Sequence, residues 1–121
     1  MPELDLLVIG DVNPDVIVGD PELEARFGQT EQFVDHAAVV VGGSASITAM
    51  GAARLGLLVG LCGVIGDDDL GWIMEDRLTA AGVNLRHLDR DPTLPTGMSV
   101  VLDRGSDRAI LTHAGTISAL T

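Results

Sequence analysis

The stretch VVVGGSASITAMGAARLG, Val39 to Gly56, changes its period at the paired glycines. Before them β-branched residues run consecutively; after them small and apolar residues recur at helical spacing. A second apolar run, LLVGLCGVI (Leu57–Ile65), follows Gly56. A chain that passes from strand to helix and back to strand in this way is committed to an α/β architecture. Ser44 is placed to cap the helix, Ile47, Met50, Gly51 and Leu55 form its expected inward side, and Gly56 is its expected stop. The two glycines, lacking Cβ atoms, let the backbone approach something closely. These residues alone leave open whether that is a ligand or a neighbouring element.

The rest of the chain fits the same plan. LDLLVI (Leu4–Ile9) is apolar on consecutive residues, as a strand buried on both faces of a parallel sheet should be. It ends in the turn-forming stretch GDVNPD. A short strand near Val16 then leads into an acidic loop, and Glu31–Val41 reads as a partly alternating strand. GDDD precedes a helix over 69–81, with Leu70, Ile73, Met74, Leu78 and Ala81 facing inward and Gly82 as its stop. Strands joined by a crossover helix should form a right-handed βαβ unit. Beyond Gly82 no helix is expected, and TGMSVVLD and RAILTH flank RGSD as a hairpin. That hairpin, with the strands near Val16 and at 31–41, predicts a small antiparallel layer beside the α/β core. At 121 residues the chain makes one domain.

Composition removes several function classes. Eighteen acidic residues against seven basic ones give a net charge of −11, which repels a nucleic-acid backbone. All seven basic residues are arginines, so there is no lysine for a Walker-type phosphate loop. Phe27, Phe33 and Trp72 are the only aromatics, too few for a base-stacking platform. Cys62 is a single cysteine in an apolar run, expected to be a buried thiol and unable to form a disulfide within the chain. No apolar run nears the roughly 18 residues of a membrane span, and the first residues are acidic where a signal peptide is basic. A soluble, cytoplasmic protein that binds neither nucleic acid nor membrane is expected. His36, His87 and His113 are scattered and belong to no triad or zinc pattern.

Three segments carry candidate chemistry. Asn13 and Asp15 follow the first strand, at the carboxyl end where open α/β sheets bind ligands; they equally suit an Asx-Pro turn. Gly42 and Gly43 begin GGSAS, whose backbone N–H groups suit hydroxyls or an anion, or else permit tight strand–helix packing. In GDDDLG the consecutive carboxylates lack calcium-loop spacing and are read as capping the next helix.

Taken in order, VIGDVNPDVIV, GGSASITAMGAARLG, VGLCGVIGDDDLGWIMEDRLTAAGVN and PTGMSVVLDRGSDRAILTHAG resemble the N-terminal part of a ribokinase (PfkB) family carbohydrate kinase. The family's first signature falls on Gly42, Gly43, Ala45, Ala49, Gly56 and Gly66. The resemblance implies a ribokinase-like, three-layer Rossmann-type α/β core, incomplete here, with a small antiparallel β-sheet lid. It implies ATP with Mg2+ as phosphoryl donor in the complete enzyme and a sugar or nucleoside as acceptor. Asn13 and Asp15 would bind acceptor hydroxyls, and Gly42 and Gly43 would let the acceptor lie against backbone. Ile47 stands where the family has an Asn that bonds a hydroxyl. Either the acceptor is less hydroxylated there, or Ser44, Ser46 or Thr48 takes over, or acceptor binding is weak. Segments 16–19, 31–41, 97–103 and 108–113 would form the lid, which in several relatives also makes a dimer interface.

Members of the family are more than twice as long, and their other half carries the anion hole, the aspartate base and most of the ATP site. Residues 1–121 are therefore expected to be the N-terminal part of one kinase domain, inactive and without bound ATP or Mg2+ when alone. Its apolar sheet edge is expected to be covered by the C-terminal half or a second copy. The alternative is a non-catalytic, dimerising or binding module derived from the kinase fold. A dinucleotide binder is disfavoured because GDVNPD lacks the G-x-G-x-x-G fingerprint.

Overall fold

The structure, a computed structural model, describes residues 3–119. It contains β1 (Leu6–Ile9), β2 (Asn13–Gly19), β3 (His36–Gly42), α1 (Ser44–Arg54), β4 (Val59–Gly66), α2 (Asp69–Ala80), β5 (Leu88–Asp91), β6 (Met98–Asp103), β7 (Arg108–His113) and a 3-10 turn at Gly115–Ala119. Two sheets share these strands. One is parallel, in the order β1-β4-β5; the other has the order β3-β2-β6-β7.

The parallel sheet carries the core. On β4, Val59, Leu61 and Ile65 point the same way and are fully buried against Ala45 and Ala49 of α1 and Met74 and Leu78 of α2. Both helices thus cover one face of the sheet. Leu7 and Ile9 of β1 lie on the other face and are exposed, and Cys62, expected to be buried, is only partly so. The strand expected to be buried on both faces is in fact an edge strand: β1 pairs only with β4 among the described residues.

The second sheet is the predicted β layer with one correction. β2 pairs antiparallel with β3, and β6 with β7, but the central pair β2–β6 is parallel. The layer is therefore two antiparallel pairs joined by a parallel seam. The hairpin around RGSD is as expected, with Asp103 opposite Arg108. The strand expected at Glu31–Val41 begins only at His36, because residues 31–35 have no strand opposite them; β2 ends at Gly19, which pairs with His36.

The helix starts differ from the sequence reading in one case and agree in the other. Gly43, with φ 83°, is the N-cap of α1, and Ser44 is its first helical residue rather than its cap. The chain turns so tightly here that a side chain at Gly43 would meet the Asp11 carbonyl at 2.6 Å, so the cap position must be glycine. The buried side of α1 is Ala45, Ser46 and Ala49, while Ile47 and Leu55 of the expected stripe are exposed. Small residues win this face because the helix lies close to the sheet: a Cβ on Gly10 would sit 2.8 Å from that of Ala45.

At α2 the carboxylate cap is as expected. Asp68 Oδ1 accepts from Gly71 N at 3.0 Å and from Thr96 Oγ1 at 2.5 Å, while Oδ2 accepts from Thr96 N at 2.8 Å. Thr96 Oγ1 in turn accepts from Gly66 N at 2.8 Å. Burial pushes the Asp68 pKa up, but these hydrogen bonds outweigh it and hold the carboxyl below the usual aspartate value. The βαβ unit expected across α1 does not form, since β3 and β4 lie in different sheets; β4, α2 and β5 make a parallel βαβ unit instead. By contrast, α1 carries the chain from the second sheet into the first. β5 itself was not expected; Arg90 fixes it to α2, pairing with Glu75 and stacking 3.9 Å above the Trp72 ring.

Candidate functional site

The junction between the two sheets brings Asn13, Asp15, Gly42 and Gly43 together. β2 starts at Asn13, so Asn13-Pro14-Asp15 is strand rather than an Asx-Pro turn. Pro14 is tolerated because the ladder to β6 begins only at Asp15, which leaves the proline on a stretch paired on one side. Residues 13 and 15 consequently face the same way. Asn13 lies opposite Gly42, and Asp15 opposite Val40.

The two glycines are required by this packing. A Cβ on Gly42 would run into the Asp15 carboxylate, and one on Gly43 would lie 2.9 Å from Asn13 Oδ1 as well as against Asp11. Backbone at the strand–helix junction therefore lies directly against the two polar side chains. Next to it, Gly10, Asp11, Ser44 and Thr48 line a hollow of ≈ 250 Å³ at the carboxyl end of β1.

The two polar groups are left with unused capacity. Asn13 is 5% exposed, yet its amide makes no hydrogen bond to another described residue. Since no buried side-chain nitrogen or oxygen among the described residues lacks a partner, the Asn13 amide atoms reach solvent, where they can donate and accept. Burial pushes the Asp15 carboxyl pKa up, and the Arg108 guanidinium opposes that shift.

The remaining residues singled out in the sequence separate. Ser46 is fully buried, and its hydroxyl donates to the Asp11 carbonyl at 2.8 Å, bracing α1 against the loop after β1. Ile47 is 55% exposed at the other side of the same turn. The sequence reading missed Arg108, which influences Asp15 from the far strand of the sheet. It also missed the row Asp15–Ser99–Thr112 across β2, β6 and β7, in which the two hydroxyls lie 2.8 Å apart. Neither has a local signal, since both depend on which strands become neighbours. Among the described residues no group of three His, Cys, Asp or Glu side chains is placed to hold a metal ion. No helix among them is long and apolar enough to cross a membrane.

Comparison with known proteins matches this arrangement to one family. The model of the pfkB family of carbohydrate kinases matches residues 3–121. A ribokinase from Cryptococcus neoformans var. grubii serotype A, solved with ADP, is 32% identical with a TM-score of 0.72 over 92% of this chain and 34% of its own. An Arabidopsis thaliana ribokinase complexed with ribose and ATP gives 24% and 0.81, covering 95% of this chain and 37% of its own. A putative ribokinase II from E. coli, in complex with ATP and Mg2+, gives 22% and 0.77, covering 98% and 37%. The chain thus spans about a third of the length of these structures, and the ribokinase-like α/β fold is shared. With the family model covering all but the first two residues, the chain belongs to the pfkB family of carbohydrate kinases.

Proposed function

We propose that this chain supplies the acceptor-binding wall and the covering sheet of a kinase that transfers the γ-phosphate of ATP to a hydroxyl of a sugar or nucleoside. The observation that carries the reading is Asn13, a buried residue whose amide atoms still reach solvent and bond to no described residue, beside a partly buried Asp15. A hydroxyl both donates and accepts, so it can donate to the Asp15 carboxylate and accept from the Asn13 amide. Gly42 and Gly43 keep the backbone beside these groups free of side chains. Ser46 holds the loop in place, and Ile47 borders the site. The sheet β3-β2-β6-β7 is read as a lid that excludes water from the acceptor.

Phosphoryl transfer needs a positioned donor, charge stabilisation and an oriented nucleophile, and here the acceptor side alone is assigned. No described residue is assigned to ATP or Mg2+, and we take the chain by itself to be inactive. The reading is tested by assaying ATP-dependent phosphorylation of a panel of sugars and nucleosides. The assay uses the chain alone and the chain combined with the C-terminal part of a pfkB kinase. Turnover only in the combination is expected; no turnover with any acceptor in either state overturns it.

A dimer formed through the lid is a part of the same proposal, favoured by one observation. Val16, Val18, Val39, Val100, Leu102 and Leu111 form a single apolar face of that sheet, and Leu111 is strongly exposed. Sedimentation that shows a monomer at all concentrations would remove the dimer and leave the kinase reading intact.

A further inference from the structure

Asp68 does more than start a helix. An N-cap side chain needs a bond only to the first turn, and Asp68 gives that one to Gly71 N; its other two bonds go to Thr96, 28 positions further along the chain. Thr96 is 2% exposed, and its hydroxyl also accepts from Gly66 N at the end of β4. One buried side chain thus joins β4 and the start of α2 to the root of β6, which begins two residues later at Met98.

Residues 92–97 carry the chain from β5 in the parallel sheet to β6 in the second sheet. Asp91 Oδ1 folds the start of this connection, accepting from Thr93 N at 2.7 Å and Leu94 N at 3.0 Å. Its end is held from two sides. Asp68 binds Thr96, and the equally buried Thr116 accepts at Oγ1 from Gly97 N at 3.1 Å while its own N–H donates to the Pro95 carbonyl at 2.9 Å. Thr116 follows β7, so that strand is tied into the same cluster. Packing is close enough that a Cβ on Gly66 would lie 2.6 Å from the Leu94 carbonyl. The connection from β3 to α1 has no side-chain cap, and that from β1 to β2 is braced by the single Ser46 hydroxyl bond.

The direction of β6 links this cluster to the acceptor site. Ser99 lies three residues beyond Thr96, about 10 Å along an extended strand, and is the cross-strand partner of Asp15. On β7 stand Thr112, whose hydroxyl meets that of Ser99, and Arg108, whose charge acts on Asp15. The half of the second sheet beside Asp15 is therefore fastened to the core through Thr96 and Thr116.

We propose that Asp68, Thr96 and Thr116 are positioning residues: they hold the β6–β7 half of the second sheet in register with Asp15 along the β2–β6 seam. None of the three touches the acceptor. The inference rests on the acceptor site proposed above and adds the device that keeps its covering sheet in place.

Amide hydrogen exchange of the 121-residue chain tests the proposal without any turnover. Thr96→Val nearly keeps the shape of the side chain and removes its hydroxyl bonds, while Asp68 still caps α2 through Gly71. Amides of the β2–β6 seam should then exchange about tenfold faster or more, as expected when buried polar groups lose their partners, and those of α1 and α2 should keep their wild-type rates. Thr96→Ser, which retains the hydroxyl, should restore the wild-type pattern. If Thr96→Val does not fold, Thr116→Val, which leaves Asp68 and Thr96 untouched, carries the same expectation. An unchanged seam, or faster exchange spread evenly over seam and helices, overturns the proposal. In the combined kinase, Thr96→Val should raise the acceptor KM several-fold and leave the ATP KM as it was; equal changes in both, or none, count against positioning. Should the wild-type combination phosphorylate no acceptor, the kinase reading falls and the exchange pattern alone decides whether these residues hold the sheet.

Discussion

The two α-helices among the described residues both begin where a strand ends, and the two junctions are built in opposite ways. At α2 the polar groups are paired with one another: Asp68 serves Gly71 and Thr96, and Thr96 serves Gly66. At α1 there is no side-chain cap, and the nearby Asn13 amide is left unpartnered. The difference separates a joint whose polar groups satisfy one another from one beside which an amide is left to solvent. A site that binds must leave hydrogen-bonding capacity unused in the free protein, whereas a joint has no reason to.

The largest effect that would break this comparison is expected at the α1 junction. Gly43→Ala puts a Cβ against Asp11 at a positive φ, and strain plus overlap should lower unfolding stability by about 3 kcal/mol, read by denaturant titration. Asp68→Ala comes next, at about 2 kcal/mol, because it removes a helix cap together with the bonds to Thr96. Its pH dependence sharpens the point. The folded pKa of Asp68 is held below the unfolded value, so its contribution is present in full above the ordinary aspartate pKa. It is lost as pH falls through the folded value. The gap between wild type and Asp68→Asn should therefore narrow in acid.

Asp15 carries the opposite sign. Its folded pKa is raised, so the folded state binds its proton more tightly, and ionised Asp15 opposes folding at neutral pH. Asp15→Asn should leave stability at pH 7 equal or higher, by about 1 kcal/mol or less, while abolishing phosphorylation of every acceptor in the assay of the combined kinase. Smallest of all is Ser44→Ala. As an N-cap, Ser44 would contribute about 1 kcal/mol; as an exposed first helical residue without a cap bond, it should matter by less than about 0.5 kcal/mol. A full kilocalorie would restore the sequence reading.

Local chemistry was readable in the sequence, and choices among neighbours were not. The RGSD hairpin, the carboxylate cap and the glycine stops at Gly56 and Gly82 are each set within a few residues, and all were identified. β5 was missed because LDRD has neither alternation nor an apolar run; its place follows from a parallel neighbour and from Arg90 meeting α2. The inward face of α1 is not where its bulky residues fall, because close approach to the sheet selects alanine and serine there. At the candidate site, the residue types of Asn13 and Asp15 were informative, but Pro14 concealed that they lie on a strand. Val40 and Arg108 reach Asp15 only through pairings that span most of the chain, so no window of sequence contains them.

The parallel seam between β2 and β6 also bears on the order in which the sheet assembles. The β6–β7 pair closes over a tight turn and β2–β3 over a moderate loop, whereas the seam joins Asp15 to Ser99. Closing that long loop loses the most chain entropy of the three pairings, so on the way to the native state the seam should form after both hairpins exist. A nascent chain emerging from its N-terminus would therefore hold β2 and β3 ready, with one edge unsatisfied, until residue 99 and its neighbours have been synthesised.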